Sequence, residues 1–319
     1  MTSRVVLPFV LAASLARGAA AEVAIEKVSC LDLPGCYRLQ NGTVEVVVTT
    51  DVGPRIVSYR FAAGENVLRQ RVQPGPKTQW KSYGGHRLWA APEQRPRTYF
   101  PDNDPVEHAE DMAAGAIRLT APVETVNGIQ KTIRVVLDRE GSGVTVEHEI
   151  ANRGSWPVEL APWAVTVMEG GGSAIVPQEP PSEGLLPVRS IALWGYTAMD
   201  DARLTFGRRF VRVRSDPATP RALKIGFGNT RGWAAYHRGG TLFLKRFPHE
   251  AGGAYPDLGS NNEIYTNGGM LEVETVAPLR RLEPGAVATH VERWSLHRDF
   301  ALAASDDDLA AALERALTP

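Results

Sequence analysis

Val144–Ile150 reads VTVEHEI, and short alternating runs of this kind recur along the whole chain. Val144, Val146, His148 and Ile150 fall on one face of a strand; Thr145, Glu147 and Glu149 fall on the other. That is the pattern of a half-buried antiparallel strand. Thr43–Thr50, Arg55–Phe61, Ile117–Leu119, Thr132–Leu137, Glu159–Met168, Arg209–Val213, Thr241–Phe247, Met270–Val276 and Val287–Leu296 read the same way. Each is rich in β-branched or aromatic residues and bounded by Gly, Pro, Asn or Asp. Gly141-Ser142-Gly143 has the composition of a hairpin turn between two of them. The 30 glycines and 23 prolines among 319 residues suit a chain of many turns. One helix is predicted: Ser305 caps Asp306–Leu317, which has acids in its first turn and Leu309, Ala312 and Leu313 on one face. The class is therefore all-β, with about a dozen or more strands.

No internal repeat of about 20–50 residues is visible, which argues against a propeller or solenoid. No Pro/Ser linker divides the chain. The organisation read from this is a signal peptide over residues 1–21, an N-terminal segment over 22–40, one sandwich domain over 41–300 and a terminal helix over 301–319. The signal assignment rests on Arg4, the apolar run Val5–Ala16 and the small residues Ala19-Ala20-Ala21. The apolar run is too short to span a bilayer. The expected location is thus periplasmic or secreted, without membrane insertion after cleavage. A formal net charge of -1 offers no basic field for nucleic acid.

Cys30 and Cys36 stand close together in CLDLPGC and are expected to form a local disulfide, with Pro34-Gly35 supporting the turn. One close pair lacks the further ligands of a zinc site. Asp102-Asn103-Asp104 reads either as a Ca²⁺ loop or as a plain turn. No metal or cofactor is expected, since no P-loop, dinucleotide fingerprint or nucleophile elbow is present.

Gly84–Glu93 (GGHRLWAAPE) is the densest group of chemistry-bearing residues. Buried polar groups need partners, so His86, Arg87 and Glu93 beside Leu88 and Trp89 suggest a loop-to-strand element over a cavity, or a Gly-Gly turn before a strand anchored on Trp89. The Pro-rich stretches Ala91–Pro105 and Val176–Pro187 read as semi-rigid lids or walls, or as covers for a sheet edge. Glu272 and Glu274 alternate with Leu271 and Val273, so both carboxylates face one way. Glu263 lies just upstream. Lys245 lies between Phe243 and Phe247, as an anchor for an anionic ligand group or as a snorkelling residue. His148, His237, His249 and His290 have no motif support and read as structural or surface residues.

Three segments in order resemble the galactose mutarotase-like (aldose 1-epimerase-like) superfamily: Asp51–Leu68, Gly84–Glu93 and Asn152–Met168. Asn262–Glu274 (NEIYTNGGMLEVE), with GGH-x-x-W-x-x-P-E at Gly84–Glu93, is similar to exported bacterial members of unknown function. The resemblance implies a large two-sheet supersandwich with carbohydrate in the concave face of one sheet. It implies a mono- or oligosaccharide partner, an acidic one included. Arg55 falls where the family places a substrate-contacting Arg or Gln, and a guanidinium fork suits a uronate or phosphate. The family's usual acid is a histidine on the strand after the Asn-Pro segment; here that position is Trp163. An indole N–H donates but does not exchange a proton near neutral pH, whereas its face packs on a pyranose. Sugar binding is the reading this favours, with Arg55, Arg87, Trp89, Glu93, Trp163, Lys245, Glu263 and Tyr265 as contacts. The alternatives are an epimerase or glycan-processing enzyme, with Glu274 or Glu272 as base and His86 as acid, and a structural envelope protein.

Overall fold

A computed structural model describes residues 22–180 and 182–318; the expected signal peptide lies outside the described residues. The first half of the chain holds β1 (Ala24–Cys30), β2 (Leu33–Gln40), β3 (Val44–Thr49), β4 (Arg55–Phe61), β5 (Gly85–Ala91), β6 (Glu107–Asp111), β7 (Ala116–Thr120), β8 (Ile129–Leu137), β9 (Val144–Asn152) and β10 (Val158–Glu169). The second half holds β11 (Ser173–Pro177), β12 (Ile191–Leu193), β13 (Leu204–Phe206), β14 (Phe210–Arg214), β15 (Leu223–Phe227), β16 (Trp233–Arg238), β17 (Thr241–Arg246), β18 (Asn262–Thr266), β19 (Met270–Val276), β20 (Arg280–Leu282) and β21 (Val287–His297). The helix runs over Asp306–Leu317, and Ser305 accepts from the Asp308 amide as its cap.

The strands build two antiparallel sheets, as expected. The first has the order β1-β2-β3-β4-β5-β10-β19-β18-β15-β12, with β20 also on β10. The second has the order β13-β14-β11-β16-β17-β21-β9-β8-β7-β6. Their facing surfaces enclose one apolar core, in which Ile56, Leu88, Met168, Ile264 and Val273 of the first sheet meet Ile133, Val146, Tyr236, Phe243 and Trp294 of the second. Such interleaving of inward positions is what a period of two in the sequence specifies. The helix packs on the far face of the second sheet, against Phe210, Trp233, Leu242 and Leu244.

Three local expectations change. Cys30 and Cys36 are disulfide-bonded, but the turn between β1 and β2 is Leu31-Asp32, both at positive φ, and Pro34-Gly35 belongs to β2. Gly84–Glu93 is not a loop over a cavity: Gly85–Ala91 is a fully buried strand inside the first sheet. Its glycines permit close backbone approach rather than ligand contact. A Cβ on Gly84 would stand 2.1 Å from Arg69 O, and one on Gly85 2.2 Å from Ile56 O. Asp102 serves as an ion-pair partner for Arg55 at 2.5 Å, and the Asn103 amide donates to the carbonyls of Lys77 and Gln79, so the DND stretch ties loops together.

Candidate functional site

Strand alternation divides the expected site residues between two places. On β5, Arg87 and Trp89 point away from the second sheet, while His86 points into the core. The register carries this across neighbours: Trp89 pairs with Trp163 and His86 with Thr166 on β10, Val165 pairs with Glu274 on β19, and Glu274 and Glu272 pair with Glu263 and Tyr265 on β18. Arg87, Trp89, Trp163, Glu263, Tyr265, Glu272 and Glu274 therefore share the outer face of the first sheet. Gly84–Glu93 and Met270–Val276 are separated only by β10.

Around Lys224 of β15 this face becomes a charge cluster. The ammonium lies 2.7 Å from Glu263 Oε2 and 3.0 Å from Glu274 Oε2. It also stands over the rings of Trp163, at 4.5 Å, and Trp194, at 4.7 Å. Gly226 makes room for this arrangement, since a Cβ there would meet Ser260 Oγ at 2.3 Å and Trp194 Cζ3 at 3.3 Å. The Trp163 indole donates to Glu274 Oε2 at 2.8 Å. Arg87 donates to Glu272 at 3.2 Å and stacks on Trp89 at 4.2 Å. Trp80 and Tyr99 close one side against Trp89. Glu93 lies at the exposed rim and accepts from Tyr99. Asp257 lies in the turn before β18, near enough for Glu263, Lys224 and Glu274 to bear on its carboxyl.

Burial makes these acids unlike ordinary surface carboxylates. It pushes Glu263 well above the usual range, and Lys224, shared with Glu274, only partly offsets it. Glu272 and Asp257 are also raised, chiefly by burial. For Lys224 burial works against the ammonium, but Glu274 and Glu263 outweigh it and hold the pKa above its ordinary value. Several polar atoms remain unmatched: Glu263 Oε1, Arg87 Nε, Trp89 Nε1 and Trp80 Nε1 have no hydrogen-bond partner. Lys224 compensates the charge of Glu263 without an aligned hydrogen bond to it.

Three expected contacts lie elsewhere or under cover. Arg55 pairs with Arg87 across β4 and β5, yet it is fully buried beneath Tyr83 and Asp102. His86 and Lys245 point between the sheets. His86 Nδ1 meets Thr166 Oγ1 at 2.8 Å and its Nε2 meets His148 Nε2 at 2.7 Å. Lys245 Nζ pairs with Glu292 at 2.9 Å and donates to Thr166 at 2.6 Å. Both point between the sheets, so neither reaches a ligand on the outer face. Their direction follows from the period of two: each neighbours a residue that faces outward.

Lys224, Trp194, Asp257 and Trp80 were not anticipated. A signal existed for Lys224, a lone lysine in the apolar run LKIGF. Trp194 and Asp257 reach the site from loops, where no periodicity marks direction. Of the two Pro-rich stretches, Ala91–Pro105 walls the site through Tyr99. Val176–Pro187 instead continues from β11 of the second sheet. A cavity of about 890 Å³ lies under the terminal helix, lined by Phe210, Trp233 and Leu313, and is remote from this cluster.

The two antiparallel sheets, followed by the helix Asp306–Leu317, form a galactose mutarotase-like sandwich. Solved structures share it at low identity. A galactose mutarotase-like protein from Lactobacillus casei superposes with a TM-score of 0.55 at 12% identity, covering 82% of this chain and 100% of that one. A putative mutarotase, YeaD, from Salmonella typhimurium gives 0.54 at 13%, covering 87% and 94%. A putative aldose 1-epimerase from Escherichia coli gives 0.52 at 12%, covering 82% and 99%. No family model matches the chain, and no curated protein matches it in sequence.

Proposed function

We propose that this protein binds a saccharide on the outer face of its first sheet, within an exported compartment. The observation that carries the reading is the convergence of Arg87, Trp89, Trp163, Glu263, Tyr265, Glu272 and Glu274, brought together by four neighbouring strands. Indole faces suit the apolar side of a pyranose, and flanking carboxylates suit its hydroxyls. The unmatched donors on Arg87, Trp80 and Trp89 are groups that a polyol can satisfy. The mutarotase-like fold is compatible with this role. Export is supported by the signal-like N-terminus and the Cys30–Cys36 disulfide. Among the described residues no helix is long and apolar enough to cross a membrane.

A second reading, anomeric proton transfer, is favoured by the Glu263–Glu274 pair. Mutarotation needs an acid at the ring oxygen and a base at the anomeric hydroxyl. His86 is unavailable as acid, because it points between the sheets to His148 and away from the outer face. Glu263 is the replacement: its raised pKa suits a carboxylic acid that donates, and Glu274 opposite is the base. Calorimetry against a panel of monosaccharides tests binding. Exchange NMR on α- and β-anomers tests turnover. Binding without accelerated exchange establishes a binding protein; no ligand at millimolar concentrations removes the proposal.

A further inference from the structure

The Pro-rich stretch Val176–Pro187 takes no part in the outer face of the first sheet, and it brings two features side by side. One is a protrusion. Leu185 is fully exposed and Leu186 is 80% exposed, with Val188 and Ile191 also exposed just beyond them. Contiguous exposed apolar groups, unlike scattered single ones, mark a surface that something covers. The other is a hollow. The cavity of about 890 Å³ under the terminal helix has Phe210, Trp233 and Leu313 in its lining, together with Pro177 and Pro180 from the base of the same stretch.

The protrusion does not fill the hollow beside it, because the loop is pinned. The Gln178 amide donates to the Arg209 carbonyl at 2.9 Å, and its side chain donates to the Gly207 carbonyl at 2.8 Å, which ties the loop to the cavity wall. Arg189 Nε and Nη2 close the base on the Glu179 carbonyl, at 2.9 and 2.6 Å. Pro180 and Pro187 fix φ within the loop. The Gly184 amide donates to Ser182 Oγ at 3.0 Å near the tip. A short loop held in this way keeps Leu185 and Leu186 in solvent.

Charge matches across the two features. The loop carries Glu179 and Glu183 and no cation before Arg189. Glu183 is exposed and has no ion pair among the described residues. Arg208, Arg209 and Arg231 line the cavity. Arg209 faces Asp307 at 3.5 Å, and its amide donates to Asp306 at 2.9 Å. Arg208 and Arg231 have no ion pair among the described residues, and of the cavity's acids only Glu314 is left to balance them. An apolar knob beside an acid therefore adjoins an apolar hollow rimmed by unpaired arginines.

Leu185 follows Pro180 closely enough that the knob lies within about 17 Å of the hollow's edge. Two complementary features so near on one surface can pair reciprocally about a twofold axis. We propose that two copies of this chain associate by exchanging these loops. Each copy places Leu185 and Leu186 in the other's cavity, with Glu183 against Arg208 and Arg231. A lipid surface fits less well, since anionic lipid repels an acidic loop.

Sedimentation velocity of the purified protein from about 1 to 200 µM tests the pairing, and a dimer with a Kd on the order of 10 µM is expected. The double variant Leu185→Ser, Leu186→Ser alters only exposed side chains and should weaken association by about 30-fold or more. Arg231→Glu should weaken it by about 5-fold, and adding Glu183→Arg should recover part of that loss. Leu186→Cys chains mixed with Leu317→Cys chains under mild oxidation should give a disulfide-linked pair, because Leu317 also lines the cavity. A protein still monomeric at about 200 µM overturns the proposal, as does a dimer indifferent to the leucine variant. A dimer that needs the leucines but ignores Arg231→Glu and gives no cross-link seats the loops elsewhere, and overturns it too. A monomer that cosediments with phosphatidylcholine vesicles only when Leu185 and Leu186 are present overturns it in favour of a lipid surface.

Discussion

Two buried clusters, each built around one lysine, sit on opposite faces of the first sheet. Between the sheets, every polar group has a partner. Lys245 donates to Thr166 and pairs with Glu292. Since Lys245 donates to it, Thr166 gives its own proton to His86 Nδ1. His86 Nε2–H then donates to His148 Nε2, and His148 Nδ1–H to the carbonyl of His290. His290 Nε2 meets Thr275 at 2.7 Å, Thr275 donates to Glu292, and Trp294 Nε1 donates to the other Glu292 oxygen at 2.8 Å. One arrangement of protons satisfies the whole chain, with three neutral histidines and a single ion pair. On the outer face, Lys224 is shared by two carboxylates, further acids crowd in, and donors and acceptors go unmatched. A closed network rigidifies and specifies a core; an open one retains interactions for something that arrives.

The largest expected effect breaks the closed cluster. Lys245→Met leaves Glu292 buried without its cation and should cost ~3–5 kcal/mol. The double variant Lys245→Met, Glu292→Gln should recover much of that loss. Urea denaturation of the two singles and the double measures the coupling, and a single-variant loss below ~1 kcal/mol would contradict the description of a matched ion pair.

Acid exposes the contrast next. Burial holds His86, His148 and His290 below the ordinary imidazole value, His290 at about 3. The unfolded chain therefore binds more protons than the folded one below about pH 6.5, and stability falls as pH drops through that window. Glu292 is held low despite its burial, by Lys245 first, so its contribution is lost at still lower pH. The outer cluster has the opposite sign. Glu263, Glu272 and Asp257 are raised, so their contribution is complete below about pH 4.3 and is lost as pH rises through their folded values. The three histidines contribute a fall of up to about 3 kcal/mol between pH 6.5 and 5.5, and each raised acid still protonated there offsets at most about 1.4 kcal/mol of it. Imidazole NMR signals of His86, His148 and His290 that titrate across this window would contradict the neutral-histidine network.

Glu263→Gln should separate stability from binding. It leaves Lys224 paired with Glu274 at 3.0 Å and removes a carboxyl that burial disfavours, so stability should change by less than ~1 kcal/mol or rise, whereas saccharide affinity falls by about 10-fold or more. A large loss of stability would mean that Glu274 alone does not hold Lys224 in place.

Strands of both sheets and the terminal helix were legible because burial imposes a period. Thr132–Leu137, Val144–Ile150 and Met270–Val276 show alternation, and Ser305 shows its cap. The same period fixed Glu272 and Glu274 to one side. It could not say which side faces the second sheet, and a shift of one residue reverses that choice. His86 and Lys245 were misplaced for this reason: each neighbours a residue whose direction is opposite. Short edge strands such as β12 and β13, and loop residues such as Trp194 and Asp257, leave no periodic mark. Their positions depend on contacts distant in sequence.

The smallest effect is expected at Trp163, and it discriminates between the two readings of the outer face. Trp163→Phe keeps the ring beneath Lys224 but removes the N–H that meets Glu274 Oε2 at 2.8 Å. Lys224 still satisfies that oxygen at 3.0 Å, so the stability cost should be about 1 kcal/mol or less. If the face only binds, the remaining ring still packs on sugar and affinity should fall by only about 3- to 10-fold. If Glu274 is a base, its orientation depends on the indole donor, and anomeric exchange should fall further than affinity does. Equal losses in the two measurements would show that the indole serves binding and does not position Glu274, because a misplaced base slows the proton transfer without loosening the bound sugar.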